Sequence, residues 1–242
     1  MGEVSGVVVL VVGIVVLAVA IQGAIGFGQS LIAMPLITLV SGIQTATPLM
    51  ALVGATSTVL ILLVNRHQIN LHESWRLIVG ALLGLPPGVF LLVHINERIV
   101  TALLGVLLIA FSLYNLVHFQ MPNMQQRALA FPFGFAAGLL GGAYNTSGPP
   151  LVIYGVLRRW TPEEFPGTLQ SVFVSNSVFV LVAHSLTGLW TPTVLHLYTA
   201  VLPFIPAAVL VGWRFNRIIP RKQFERLVYL VLILMGLVLL FA

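Results

Sequence analysis

The sequence predicts an all-α polytopic membrane protein: two homologous repeats whose Gly/Pro-broken half-helices meet near the bilayer midplane. Three observations carry this. Of 242 residues, 59% are hydrophobic and 7% charged, where a soluble domain has about 25% charged. Apolar runs of spanning length recur along the chain. Two Gly-rich polar stretches interrupt the pattern. With a mean hydropathy of +1.06, the chain cannot cover itself with charge, so its surface faces hydrocarbon. A cytosolic enzyme, a nucleic-acid binder and a disordered chain are excluded. The lipid bilayer is the expected surroundings.

The elements follow from length. Crossing hydrocarbon takes about 20 apolar residues. Val4–Gln22, Thr45–Val64, Trp75–Val93, Ile99–His118, Thr168–Ser185, Thr193–Trp213 and Phe224–Ala242 meet that need. The first run holds Ala18-Val19-Ala20, which looks like a cleavage site. Met1-Gly2-Glu3 lacks the positive charge of a signal peptide, so a retained helix is expected. Leu31–Val40, Ala128–Leu140 and Pro149–Leu157 are shorter. They flank the interruptions Gln22 to Ser30 and Gly141 to Pro150. Glycines let the backbone leave the helix, and Pro149 and Pro150 suit the start of a new one. Such breaks at membrane depth are tolerated inside protein or along a watery cavity.

The chain also repeats itself. The first break runs into Pro35-Leu-Ile and the second into Pro150-Leu-Val. Ser57-Thr58-Val59 matches Ser175-Asn176-Ser177, and Leu85-Pro86-Pro87 matches Phe204-Ile205-Pro206. Residues 64–71 lie over 182–189, and the run from Arg98 over the run from Arg226. The order is kept at a nearly constant offset. A single membrane domain over 1–242 is expected, with repeat one at 1–119, repeat two at 128–242 and Phe119–Arg127 between them.

Charge placement bears on topology. There is no Asp, and the bases are ten Arg and one Lys, Lys222. No charge falls in 4–64, 99–126 or 165–213. If each break is a re-entrant hairpin, the halves are inverted, and ten of eleven bases share one side with only Arg98 opposed. If each break crosses once, the repeats are parallel and eight bases share a side. Charge favours the inverted arrangement, and the length of Val4–Gln22 favours the parallel one. The inverted arrangement is preferred on balance. Both place the N- and C-termini outside an inner membrane whose cytoplasmic face is basic. The pI near 10.2 then reflects cytoplasmic loops and not a nucleic-acid surface. The run Arg214 to Arg226 reads as a topology signal. Trp75, Trp160, Trp190 and Trp213 fall near span ends, as aromatic belts do.

The breaks carry the chemistry. A broken helix exposes backbone N–H groups and a positive dipole end. Half-helices beginning near Ser30 and Ser147 are expected to share one anion site. Gly26, Gly28, Gln29, Ser30, Asn145, Thr146, Ser147 and Gly148 form its expected shell. A polar stripe follows each break, and Ser57, Gln170 and Asn176 are its expected contacts. Pro35, Pro87, Pro149, Pro150 and Pro206 are candidate hinges. His184 is a titratable residue near the end of its span. The absence of cysteine excludes disulfides, thiolate metal sites and Cys nucleophiles. No metal or cofactor is expected, and no catalytic residues are assigned.

Gly26-Phe-Gly-Gln-Ser-Leu-Ile-Ala-Met-Pro35-Leu-Ile and Gly138-Leu-Leu-Gly-Gly142, with Ser147-Gly-Pro-Pro-Leu-Val, resemble the TauE/SafE family. That family has a Gly-rich stretch running into Pro-Leu in each half. The resemblance covers nearly the whole chain. It implies movement of small anions, often sulfur-containing ones such as sulfite, sulfonates or sulfoacetate; with the duplication and the breaks, the expected function is a secondary transporter, an exporter, working by alternating access of the two repeats. Gln29-Ser30 stands where a further Gly is common, which bears on substrate choice. An anion channel and an uptake permease for a small carboxylate are the alternatives. A distant third is a serine hydrolase using Ser147 and His184; Asn145 occupies the place where such a motif carries Gly. A homo-oligomer is compatible with the sequence.

Overall fold

The computed structural model describes residues 2–64, 71–117, 126–160, 164–215 and 221–241. All regular structure among them is helical: α1 (Gly2–Ile25), α2 (Gln29–Ser41), α3 (Ile43–Val64), α4 (Leu71–His94), α5 (Glu97–Leu116), α6 (Ala130–Tyr144), α7 (Gly148–Leu157), α8 (Glu164–Leu186), α9 (Pro192–Val201), α10 (Ile205–Phe215) and α11 (Arg221–Phe241). Arg127–Leu129 and Leu202–Phe204 are 3-10 turns, the second joining α9 to α10 at Pro203. Six stretches are long and apolar enough to cross a membrane: 6–24, 43–63, 74–94, 97–116, 167–186 and 192–214. Leu39, Leu83, Phe90, Leu186, Leu210 and other large apolar side chains lie exposed on the outside. In water that surface would be unfavourable, whereas in hydrocarbon it costs nothing. Most of the expected linker and the middle of the basic run, 118–125 and 216–220, lie outside the described residues.

Glycine pairs set the closest helix contacts. α4 presents Gly80, Gly84 and Gly88, and α6 presents Gly134, Gly138 and Gly142. A Cβ at Gly80, Gly84 or Gly88 would run into the backbone of Phe131, Phe135 or Leu139 respectively. The residue numbers rise together, so α4 and α6 are parallel. Gly23 of α1 meets Val209 and Gly212 of α10 in the same way, and Gly105 of α5 meets Gly236 of α11. Without a hydrophobic drive between helices in lipid, such small-residue contacts supply dispersion energy by letting backbones approach.

Both interrupted helices fold back. Ile43 N donates to Glu97 Oε1 at 2.8 Å, so the α2–α3 and α4–α5 turns share one end of the molecule. Gln22 and Gln29, on either side of the first break, both reach Ser57. Ser57 is about 21 Å along α3 from Ile43 at 1.5 Å per residue. α2 therefore climbs from that depth to the Glu97 end, packed against α1 and α3. Likewise, Thr47 Oγ1 donates to Ala143 O at 3.2 Å, which sets the last turn of α6 against the first turn of α3. α7 then turns back, and Tyr154 packs against Phe133 of the second α6 turn, with ring centroids 5.6 Å apart. Arg76 at the start of α4, Arg158 and Arg159 after α7 and Arg214 near the end of α10 lie toward the end opposite Glu97, and Arg98 lies beside Glu97.

Candidate functional site

Each break has a defined backbone cause. Gly26 and Gly28 adopt φ of +86° and +97°, values that a side chain would strain. α6 ends in Asn145 at φ 50°, which asparagine tolerates. Asn145 N donates to Gly141 O at 2.9 Å and Thr146 N to Leu140 O at 3.1 Å. The first bond is the αL C-cap closure, from the left-handed residue back to the carbonyl four residues before it, and it satisfies one of the orphan carbonyls of α6. α2 starts after N-cap Gly28 and α7 after N-cap Ser147, neither with a side-chain cap bond. The two helices begin within a residue of Ser30 and Ser147, as expected. The N–H groups of a first turn have no intrahelical acceptor. α2 keeps those of Gln29, Ser30 and Leu31. Pro149 and Pro150 supply none, so α7 keeps those of Ser147 and Gly148.

The two starts open on one cavity of about 60 Å³. At about 10–15 Å³ per water-sized group, it holds four to six of them, the size of a small oxyanion. Gln22, Gly28, Gln29, Ser30, Asn145, Thr146, Ser147, Gly148 and Asn176 line it, with Thr58 and Ser177. Its lining residues include no Asp, Glu, Lys, Arg or His. Asn145 joins the breaks: its Nδ2 donates to Met50 O at 2.7 Å and reaches Ser30 Oγ at 3.4 Å. Asn176 Nδ2 reaches Ser147 Oγ at 3.4 Å, while its buried Oδ1 has no partner. Gln29 Oε1 accepts from Ser57 Oγ at 2.7 Å, which leaves its Nε2 as a donor at the cavity.

Three expected contacts stand behind the lining. Ser57 is fully buried, and its Oγ also reaches Gln22 Oε1 at 3.1 Å and Gly54 O at 3.1 Å. It positions both glutamines. Gln170 Nε2 donates to Gly26 O at 2.8 Å, a bond that ties α8 to the first break, so Gly26 and Gln170 hold the break from outside. Phe27 and Phe173 were not anticipated. Both rings come within 3.9 Å of the position a Cβ on Gly148 would take, at the mouth of α7. A phenylalanine in an apolar chain carries no local signal of such a place. Gly54 was also missed: a Cβ there would stand 3.1 Å from Asn145 Nδ2.

Of the candidate hinges, Pro149 and Pro150 sit in the first turn of α7, Pro35 lies inside α2, and Pro87 lies inside an uninterrupted α4. Pro206 follows the 3-10 turn between α9 and α10. Ser147 and His184 share no hydrogen bond: Ser147 Oγ is reached by Asn176 Nδ2, and His184 is fully buried on α8 beside the backbone of Gly142. The hydrolase arrangement has no support in this geometry.

Among the described residues, six helical stretches able to span a membrane around an uncharged polar cavity make this a polytopic membrane protein. The family model of the sulfite exporter TauE/SafE matches residues 10–239, and the chain belongs to that family. A curated relative, the probable sulfite/organosulfonate exporter TauE of Cupriavidus necator, is 29% identical over 153 residues. That match covers 60% of this chain and 59% of the relative, so the chain spans about three-fifths of the relative's length. No solved structure matches. Membership of a transporter family agrees with a chain that is not an enzyme.

Proposed function

We propose that this protein is a secondary carrier that exports a small sulfur-containing oxyanion, sulfite or a sulfonate, across the inner membrane. One observation carries the reading: the N-termini of α2 and α7 open on the same uncharged cavity, lined by amides and hydroxyls. Each dipole end contributes about 0.3–1 kcal/mol to anion binding, and about 2 when partly buried. Such a site binds modestly and releases its cargo. The relative's description as a sulfite/organosulfonate exporter supports the substrate class.

Alternating access is read as rocking of two inverted repeats, 1–119 and 128–242. The helix partners support this. α1 packs on α10 as α6 packs on α4, while α3 pairs with α8 and α5 with α11. Exchanging the halves exchanges the first two pairs and returns the last two to themselves. The basic end then faces the cytoplasm and both termini face outward. Flux of sulfite and methanesulfonate into proteoliposomes tests the site. Ser30→Leu and Ser147→Leu are expected to abolish it while both variants still insert. Wild-type rates in inserted variants would remove the site assignment.

A further inference from the structure

His184 is a buried titratable side chain that the anion site does not use. It has no exposed surface, and the backbone of Gly142 is within reach of one ring nitrogen at most, which leaves the other without a hydrogen-bond partner. A neutral imidazole carries one donor and one acceptor, and a buried orphan of either kind asks for an explanation. Its place supplies one. Asn176 and Val180 of α8 line the cavity. Residues 176, 180 and 184 recur every four positions and so share one face of the helix. His184 is thus one turn beyond the cavity wall, about 6 Å along the axis from Val180. It lies beside Gly142 of α6, and its ring meets Trp190 edge-on at 5.6 Å. That direction leads toward the end of the molecule opposite the Arg-rich one.

α3, α4, α6 and α7 pack against α8. Among described side chains, α3 brings no titratable group. α4 brings Arg76 and His94, engaged with the rings of Trp75 and Phe90. α6 brings Tyr144, two residues beyond Gly142. α7 brings Tyr154, set against Phe133 and Trp160, with Arg158 following at the far end. None of these is a carboxylate, so His184 has no fixed counter-charge there. An anion in the cavity is the negative charge that can reach it.

Building on the carrier reading above, we propose that His184 takes up one proton with each anion bound, so that anion and proton cross together. The balance is simple: imidazole plus a proton gives imidazolium, which with a monoanion makes a neutral pair for the reorienting carrier. Reciprocity follows, because an anion that favours the protonated ring is itself bound more tightly by it. His184→Gln removes titration and keeps a donor and an acceptor.

The test uses the full chain in proteoliposomes with trapped pyranine and the potential clamped by valinomycin and potassium. Methanesulfonate is the probe, since its charge does not change near neutral pH. For the wild type, a methanesulfonate gradient is expected to move the internal pH, and an imposed pH gradient to accumulate the anion at least fivefold. His184→Gln and His184→Asn are expected to move methanesulfonate down its own gradient with no pyranine response and no accumulation. Wild-type flux without a pyranine response would overturn the proposal and leave the carrier standing. So would a response that persists in either variant. Flux of neither methanesulfonate nor sulfite by the wild type would overturn the carrier reading and this proposal together. The wild-type response decides whether a proton accompanies the anion, and whichever of the two variants inserts decides whether His184 carries it.

Discussion

Ser57 Oγ lies 2.7 Å from Gln29 Oε1 and 3.1 Å from Gln22 Oε1, so one buried hydroxyl on α3 holds both sides of the first break. A hydroxyl donates one proton and accepts through two lone pairs. Its one proton goes to one amide oxygen at a time, with Gln29 Oε1 the nearer and Gln22 Oε1 the alternate acceptor. Ser57→Ala leaves buried polar groups of Gln22 and Gln29 unpaired, at a cost of about 1–3 kcal/mol. The expected outcome is a lower melting temperature in detergent and a several-fold higher KM for the transported anion. An unchanged KM would place Gln29 outside the binding shell.

The α4–α6 seam makes a stability prediction. Gly138→Ala puts a methyl group into the Ala81 backbone. Overpacking of a tight contact costs about 1–3 kcal/mol. Gly13 has nothing within 4 Å of its added Cβ, and Gly13→Ala is expected to stabilise α1 by about 0.5–1 kcal/mol. Thermal unfolding followed by size-exclusion fluorescence reads both. Equal behaviour of the two variants would mean that α4 and α6 are not in backbone contact.

These cases show what the sequence makes legible. The breaks stand out because Gly and Pro act locally: positive φ at Gly26 and Gly28 and missing donors at Pro149 and Pro150 belong to single residues. The spans are legible because hydrocarbon thickness fixes their length. The fold-back of α2 and α7 was only hinted at by ten bases sharing one side, because α1, 24 residues long, has the length of a full crossing. The cavity was half legible. Ser30, Ser147 and their neighbours sit in the breaks, but Phe173 and Gly54 join them through tertiary packing alone. The glycines 80, 84 and 88 were open to reading as a small-residue seam, yet their partner on α6 follows only from the fold.

Asn176 offers a charge test of the site. Asn176→Asp keeps the side chain's shape and puts a carboxylate beside Ser147, where the α7 dipole favours negative charge. That carboxylate competes with the substrate for the same donors and repels it. Anion flux is expected to fall at least tenfold, with Asn176→Ser milder. Undiminished flux in Asn176→Asp would mean the anion does not occupy this cavity.

Glu97 caps α3 from another helix, since its Oε1 accepts from Ile43 N at 2.8 Å. Gly42 is what admits it: the residue has φ +77° and a Cβ there would lie 2.7 Å from the same oxygen. Loss of an N-terminal cap costs about 0.5–2 kcal/mol. Glu97→Ala and Gly42→Ala are each expected to lower the melting temperature. The double variant should lose less than the sum, because both remove one contact. Strict additivity would show that the carboxylate does not cap α3.

The fold-back of the two breaks decides sidedness, and labelling decides the fold-back. The chain has no cysteine, so a single introduced thiol reports without background. Gln44 and Arg159 are both exposed, one just after α2 and the other just after α7. If each break is a hairpin, these positions lie at opposite ends of the molecule. Gln44→Cys is then expected to react with an impermeant maleimide from outside the cell, and Arg159→Cys only after the cytoplasmic face is opened. If each broken helix instead crossed once, both positions would share the cytoplasmic side and neither would react from outside. Labelling of both positions from a single side would therefore dismiss the inverted repeats, and with them the rocking motion proposed around the site that α2 and α7 share.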